Sequence, residues 1–267
     1  MPASDLYRPV NTLSIDVACG AACNSYFFAK AFNVPVSWLA LLVLSLSVWI
    51  LYTTDHLLDA WKMGENANTD RHLFHVRHFG VLSTITCALI IADLILVWLL
   101  PGTMIRAGVI LGLVAGVYFL LIQRIHWAKE FFAAALYTAG ILVPVLADWS
   151  IPLQNSLPLI FQFYLAALLN LILFSWFDYD RDIRQGSFSF VTRVGRDATV
   201  VVLFVVFAIQ TGLLVSSAFS IFFLLPWLIG CGHIIIYLRR DYFVRMDNFR
   251  LAGDALFLLP LVVVLLS

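Results

Sequence analysis

Unbroken apolar runs recur from one end of this chain to the other, and no other feature restricts its folding as strongly. Nine runs are about 18 residues or longer, enough for a helix to cross a hydrocarbon layer roughly 30 Å thick. They fall at approximately 12–32, 36–54, 79–100, 104–123, 131–148, 157–177, 198–217, 219–237 and 251–266. With 62% of its 267 residues hydrophobic and 12% charged, the chain lacks the polar surface to cover a soluble core of that size. A transmembrane barrel would show short strands of alternating polarity instead. The expectation is an all-α polytopic membrane bundle of about nine helices, one domain over 1–267, with no linker or separable soluble part.

The first run has no basic leader and contains Asp16, so it reads as a retained helix and not as a cleaved signal. Cys19, Cys23, Cys87 and Cys231 all fall inside apolar runs, where a buried thiol is a small hydrophobe and not a disulfide or metal ligand.

Net charge is zero, which gives no reason to expect nucleic acid as a partner. The placement of charge says more. With the amino terminus inside, fourteen basic residues lie in cytoplasmic segments, from Arg8 to Arg250, and Lys30 and Arg106 alone lie outside. That bias orients the bundle by the positive-inside rule and places the larger polar loops, at about 60–78, 178–197 and 238–250, in the cytoplasm. Gly108, Gly112 and Gly116, with Pro144 in the following run, read as places where helices approach closely in lipid.

Two aspartate pairs stand at the cytoplasmic ends of the second and sixth runs. Asp55 and Asp59 are four residues apart, and Asp178 and Asp182 repeat that spacing, so each pair projects from one helix face. Paired carboxylates repel each other at a membrane boundary and become favourable when cations sit between them. Mg²⁺ suits such a site, because it takes a few carboxylates and completes its shell with water and phosphate oxygens. A metal-bridged diphosphate follows as ligand, with Arg71, Arg124, Lys129, Arg181, Arg184, Arg193 and Arg196 at the same surface as candidate partners for its oxygens.

These motifs resemble those of the UbiA-type intramembrane prenyltransferase superfamily, whose members have nine helices and Asp-rich motifs after helices two and six. The second motif is the more specific: Asp178, Asp182, Gly186 and Gly195 fall at the D-x3-D-x3-G-x8-G spacing. Arg8-Pro9, Thr69-Asp70-Arg71 and the stretch from Tyr118 to Lys129 agree more loosely. The first motif is reduced, since Leu51 and Tyr52 stand where the family carries Asn and Asp, and Ile122 stands where many members have Lys. The resemblance implies Mg²⁺-dependent transfer of a prenyl group from a prenyl diphosphate to a lipophilic or aromatic acceptor, with the isoprenoid tail entering from membrane lipid. It assigns Mg²⁺ to Asp55, Asp59, Asp178 and Asp182, with Asp180 as a further ligand, and the diphosphate to Arg71, Arg124, Lys129 and Arg181. The general base stays open among Tyr52, Tyr118 and Asp16.

Two other functions fit the same residues. A terpene cyclase on this scaffold would capture the cation with the substrate's own double bond, and would form hydrocarbon without an acceptor. A transporter relaying protons would place acids along a path through both bilayer halves, whereas the aspartate pairs gather on one side. His72, His75 and His78 recur every third residue and could present one ligand face, or simply be solvated. Asp16, Asp93 and Asp254 lie inside apolar runs, where an ionisable group is costly; Asp16 and Asp254 are placed to line a substrate cavity.

Overall fold

A computed structural model describes residues 3–63, 70–121, 128–147 and 153–262. The described residues are helical throughout, without strands: α1 (Ala3–Thr12), α2 (Ile15–Phe32), α3 (Trp38–Met63), α4 (Asp70–Arg77), α5 (Phe79–Val97), α6 (Gly102–Leu121), α7 (Lys129–Leu146), α8 (Leu153–Gln185), α9 (Phe190–Val194), α10 (Arg196–Ser216), α11 (Ile221–Leu238), α12 (Arg240–Phe243) and α13 (Asn248–Leu256). Six of them, α3, α5, α7, α8, α10 and α11, are long and apolar enough to cross a bilayer. This is an α-helical integral membrane protein. The runs expected at 12–32 and 251–266 behave differently from these six. The first becomes α2, whose Asp16, Asn24, Ser25 and Lys30 lower its hydropathy, and the last is helical to Leu256, turns over 257–260 and is helical again at 261–262. The run expected at 104–123 is the third outside the six: it lies in α6, whose apolar stretch Gly102–Tyr118 is shorter than the six spans.

Helix α8 is the central post. It packs on α7, α9, α10, α11 and α13. Of its apolar stretch 61% is buried, against 17% for α5, the least enclosed of the six. Phe163, Ala166, Leu169, Ile172 and Leu173 of α8 are fully enclosed. With 33 residues, α8 is about 50 Å long, well beyond a roughly 30 Å hydrocarbon layer, so an end must project.

Polar side chains pin the helices where lipid offers no competing partner. Gln162 of α8 and Gln210 of α10 each donate to the other's backbone carbonyl at 3.1 Å. Asp93 accepts from Ser47 at 2.8 Å, tying α5 to α3, so this intramembrane acid has an interhelical structural bond. Gly108, Gly112 and Gly116 have no neighbour within 4 Å of a built Cβ among the described residues, so close approach does not occur there. The small residue that meets α6 is Gly140 of α7, opposite Leu111 at 3.8 Å.

The orientation of four helices positions the site. Residues 33–37 join α2 to α3 too briefly for anything but an antiparallel hairpin, which brings the end of α3 beside the start of α2. Glu130, at the start of α7, accepts from Ser175 Oγ near the end of α8 at 2.6 Å, so those two are antiparallel as well.

Candidate active site

A small cavity of about 70 Å³, open on one side, lies where these ends meet. Val17 of α2, Tyr52 of α3, Tyr137 of α7, Asn170 and Leu171 of α8 and Asp254 of α13 form its walls. Ala134 and Ala167, both buried, leave the space that larger side chains would fill.

Both aspartate pairs continue the cavity-lining stripes of their helices. At about 100° per residue, Asp59 lies about 20° from the direction of Tyr52, and Asp55 about 60° from it. On α8, Asp178 and Asp182 each lie about 20° to either side of the direction of Leu171. Asp178 follows Leu171 by seven residues, about 10 Å farther along the axis, and Asp59 follows Tyr52 by the same interval. Because α3 and α8 both run outward past the starts of α2 and α7, the two pairs extend beyond the cavity at one end of the bundle.

The second pair is elaborately held. Asp178 is paired with Arg181 at 3.1 Å and with Arg250 of α13, whose guanidinium also lies over the rings of Phe174 and Phe249. Arg181 reaches Asp247 as well, at 3.4 Å. Asp182 is half-buried, bonded to Ser189 and exposed to the charge of Lys129. Asp180, two residues from each, turns to the other side of α8, where Arg196 holds it at 2.9 Å while lying over Trp176 and Tyr179. The three aspartates therefore do not act as one group.

The chain leaving Asp182 needs its two glycines. Gly186 ends α8 at φ +64°, and Gly195 separates α9 from α10 at φ +88°; side chains with a Cβ rarely adopt either conformation. Between them, Ser189 caps α9 and forms a capping box with Thr192. Glu130 accepts from the Phe190 backbone N–H at 3.1 and 3.2 Å, and so fastens α9 to α7 and α8.

The first pair is more open. Asp55 is exposed and Asp59 half-buried. Leu51 is 60% exposed on the outer side of α3, whereas Tyr52 lines the cavity. The side chains of Arg71 and His72, and the whole of Thr69, Ile122 and Arg124, lie outside the described residues. His75 is buried against His56, with ring centroids 5.0 Å apart, while His78 is exposed and bonded to the Phe74 carbonyl at 2.9 Å. Those two histidines do not share a ligand face. Tyr118 donates to the Lys129 carbonyl at 3.1 Å and so ties α6 to the start of α7.

Beneath the pairs runs a polar network. Asp16 is buried and accepts from Tyr7 and Asn11, each at 2.7 Å, and Asn11 also donates to Asp254 at 2.9 Å. Burial, and then the bond to Asp16, hold the Tyr7 hydroxyl above the ordinary tyrosine range, so it remains a donor. Asp16 serves as the anchor that fastens α1 over the bundle. Asp254 is the acid that faces the cavity.

The residues that sequence reasoning passed over are Arg250, Glu130 and Asn170. Arg250 appeared only as one of fourteen inside charges, and Glu130 and Asn170 were not singled out at all. Their partners are 72, 45 and 63 residues away in sequence, so no local spacing marks them.

Among the described residues no three His, Cys, Asp or Glu side chains converge as a ready cation cage. Carboxylates in twos are nevertheless the donor set Mg²⁺ uses when substrate oxygens complete its shell. The fold and site define a helical membrane protein with a cavity surmounted by two carboxylate pairs. No family model matches the sequence, and no curated protein or solved structure is significantly similar to it.

Proposed function

We propose that this protein is a Mg²⁺-dependent prenyltransferase acting on a prenyl diphosphate within the membrane. The supporting observation is the alignment of Asp55 and Asp59 on α3, and Asp178 and Asp182 on α8, with the stripes that wall one cavity. When bound, Mg²⁺ would neutralise the diphosphate and make it a better leaving group. The aspartates would orient it, and Arg250, Arg181 and Lys129 are described cations whose charge acts on the second pair. Arg250 and Arg181 are held at Asp178, so they stand where phosphate oxygens can replace that carboxylate as their partner. The apolar cavity wall would receive the first isoprene units and keep water from the allylic carbon.

The chemistry of the pairs makes metal dependence the direct test. Purified protein should bind geranylgeranyl diphosphate with Mg²⁺ and lose that binding in excess chelator, because the clustered carboxylates otherwise repel the diphosphate. Equal affinity under the two conditions would refute the reading.

Nine crossings with the amino terminus and aspartate pairs cytoplasmic complete the proposal, on the strength of the charge bias. A cytoplasmic reporter fused after the last residue should then be inactive, and one inserted in the 178–197 loop active. The opposite pattern would overturn this topology.

A further inference from the structure

Asp254 and Asn170 border the same part of the cavity, and they offer opposite hydrogen-bonding chemistry. They are held together by close packing of α13 on α8. A Cβ at Gly253 would stand 2.6 Å from Asn170 Oδ1 and 2.6 Å from the Phe174 ring, so glycine there lets the α13 backbone close onto these two side chains of α8. Asn170 Oδ1 lies 3.0 Å from Nε2 of the buried His233, and with the ring proton on Nε2 the imidazole donates to it and fixes the amide. Its Nδ2 has no hydrogen-bond partner among the described residues, and Asn170 lines the cavity. Asp254, on the neighbouring element, presents a carboxylate to the same space, steadied by Asn11.

A carboxylate only accepts and an amide NH₂ only donates, so the group that satisfies both at once must donate and accept. A hydroxyl does so. A second carboxylate in that position would be repelled by Asp254. Resting on the prenyl-transfer reading, we propose that the acceptor is an uncharged hydroxyl compound, a phenol or alcohol, and that it is alkylated on oxygen. Its O–H donates to Asp254 and its oxygen accepts from Asn170 Nδ2. The bond between the allylic carbon and the diphosphate oxygen breaks, and both electrons leave with the diphosphate. A lone pair of the acceptor oxygen forms the new C–O bond, and the hydroxyl proton passes to Asp254. The product is a neutral prenyl ether. Asp254 is then a catalytic residue and Asn170 a specificity-determining one.

Three probes of one shape separate this proposal from the reading beneath it: 4-butylphenol, its methyl ether 4-butylanisole, and 4-butylbenzoate. In detergent and without any prenyl diphosphate, the protein should bind the phenol at least about tenfold more tightly than the ether, which cannot donate, or the carboxylate. Asp254→Asn keeps an oxygen acceptor for Asn11 but removes the charge, and it should erase the discrimination against 4-butylbenzoate. With geranylgeranyl diphosphate and Mg²⁺ added, mass spectrometry should find an ether-linked product from the phenol and none from the anisole. Asp254→Asn should lose at least about a hundredfold of that product while binding geranylgeranyl diphosphate as the wild type does, consistent with loss of a general base. Equal binding of phenol and anisole overturns the acceptor assignment even if the diphosphate is used normally, as does a ring-alkylated product. Selective phenol binding with no metal-dependent diphosphate binding upholds the hydroxyl site and overturns the transfer reading alone.

Discussion

Asp178→Ala is expected to abolish turnover of geranylgeranyl diphosphate, whereas Asp180→Ala, two residues on, should leave it nearly intact. Asp178 continues the cavity stripe of α8 and organises Arg250 and Arg181 around the proposed diphosphate position. Its loss removes a ligand from the charge that stabilises the leaving group, an effect on the order of 3 kcal/mol, or more than a hundredfold in rate, by analogy with deletion of one oxyanion donor. Arg181 keeps Asp247 as a partner, so the variant should still fold. Asp182→Ala should behave like Asp178→Ala, because Asp182 lies on the same stripe. Asp180 instead makes a solvent-exposed pair with Arg196, worth about 1 kcal/mol at most. A Mg²⁺ titration of product formation by the three variants decides the matter. Wild-type rates in Asp178→Ala would end the assignment of this motif to catalysis. Equal losses in all three would mean that the charge of the segment, and not the placement of its side chains, is what matters.

Glu130→Ala should produce the largest loss of stability among single changes near the site. Its buried carboxylate accepts from Ser175 and twice from the Phe190 N–H, so removal leaves a hydroxyl and a helix-start amide without their acceptor. Losing hydrogen bonds to a charged, buried acceptor costs about 2–4 kcal/mol. Glu130→Gln keeps an oxygen acceptor and should recover part of that. The damage should also reach function, since α9 carries Ser189, the partner of Asp182. Thermal unfolding in detergent measures the first effect and turnover the second. An unchanged midpoint in Glu130→Ala would show that α9 is held by its apolar contacts, with Val191 buried beneath it, and not by this carboxylate.

These two residues also divide what could be read early from what could not. Helix periodicity is local: any chain that keeps Asp178 and Asp182 four apart on a continuing helix presents them on one face, and the structure has them so. Asp180 carried the same side chain and was grouped with them, yet the same periodicity, applied strictly, turns it about 160° or more away. Tyr52 shows the limit from the other side. Against the motif that the sequence resembles it stands in place of an aspartate, and in the folded chain it is a wall of the cavity.

The amino-acid sequence by itself determined that this protein dissolves in lipid, that it is helical, and where its carboxylates pair, because hydropathy and helical spacing act over a few turns of chain. Only the tertiary structure decided that Arg250 comes to Asp178, that Glu130 fastens α9, and that Asp254 and Asn170 face one space. Those meetings depend on which helix packs against which, as Gly253 of α13 does against α8. Packing is selected by the fit of whole helix surfaces, a property that no window of neighbouring residues contains.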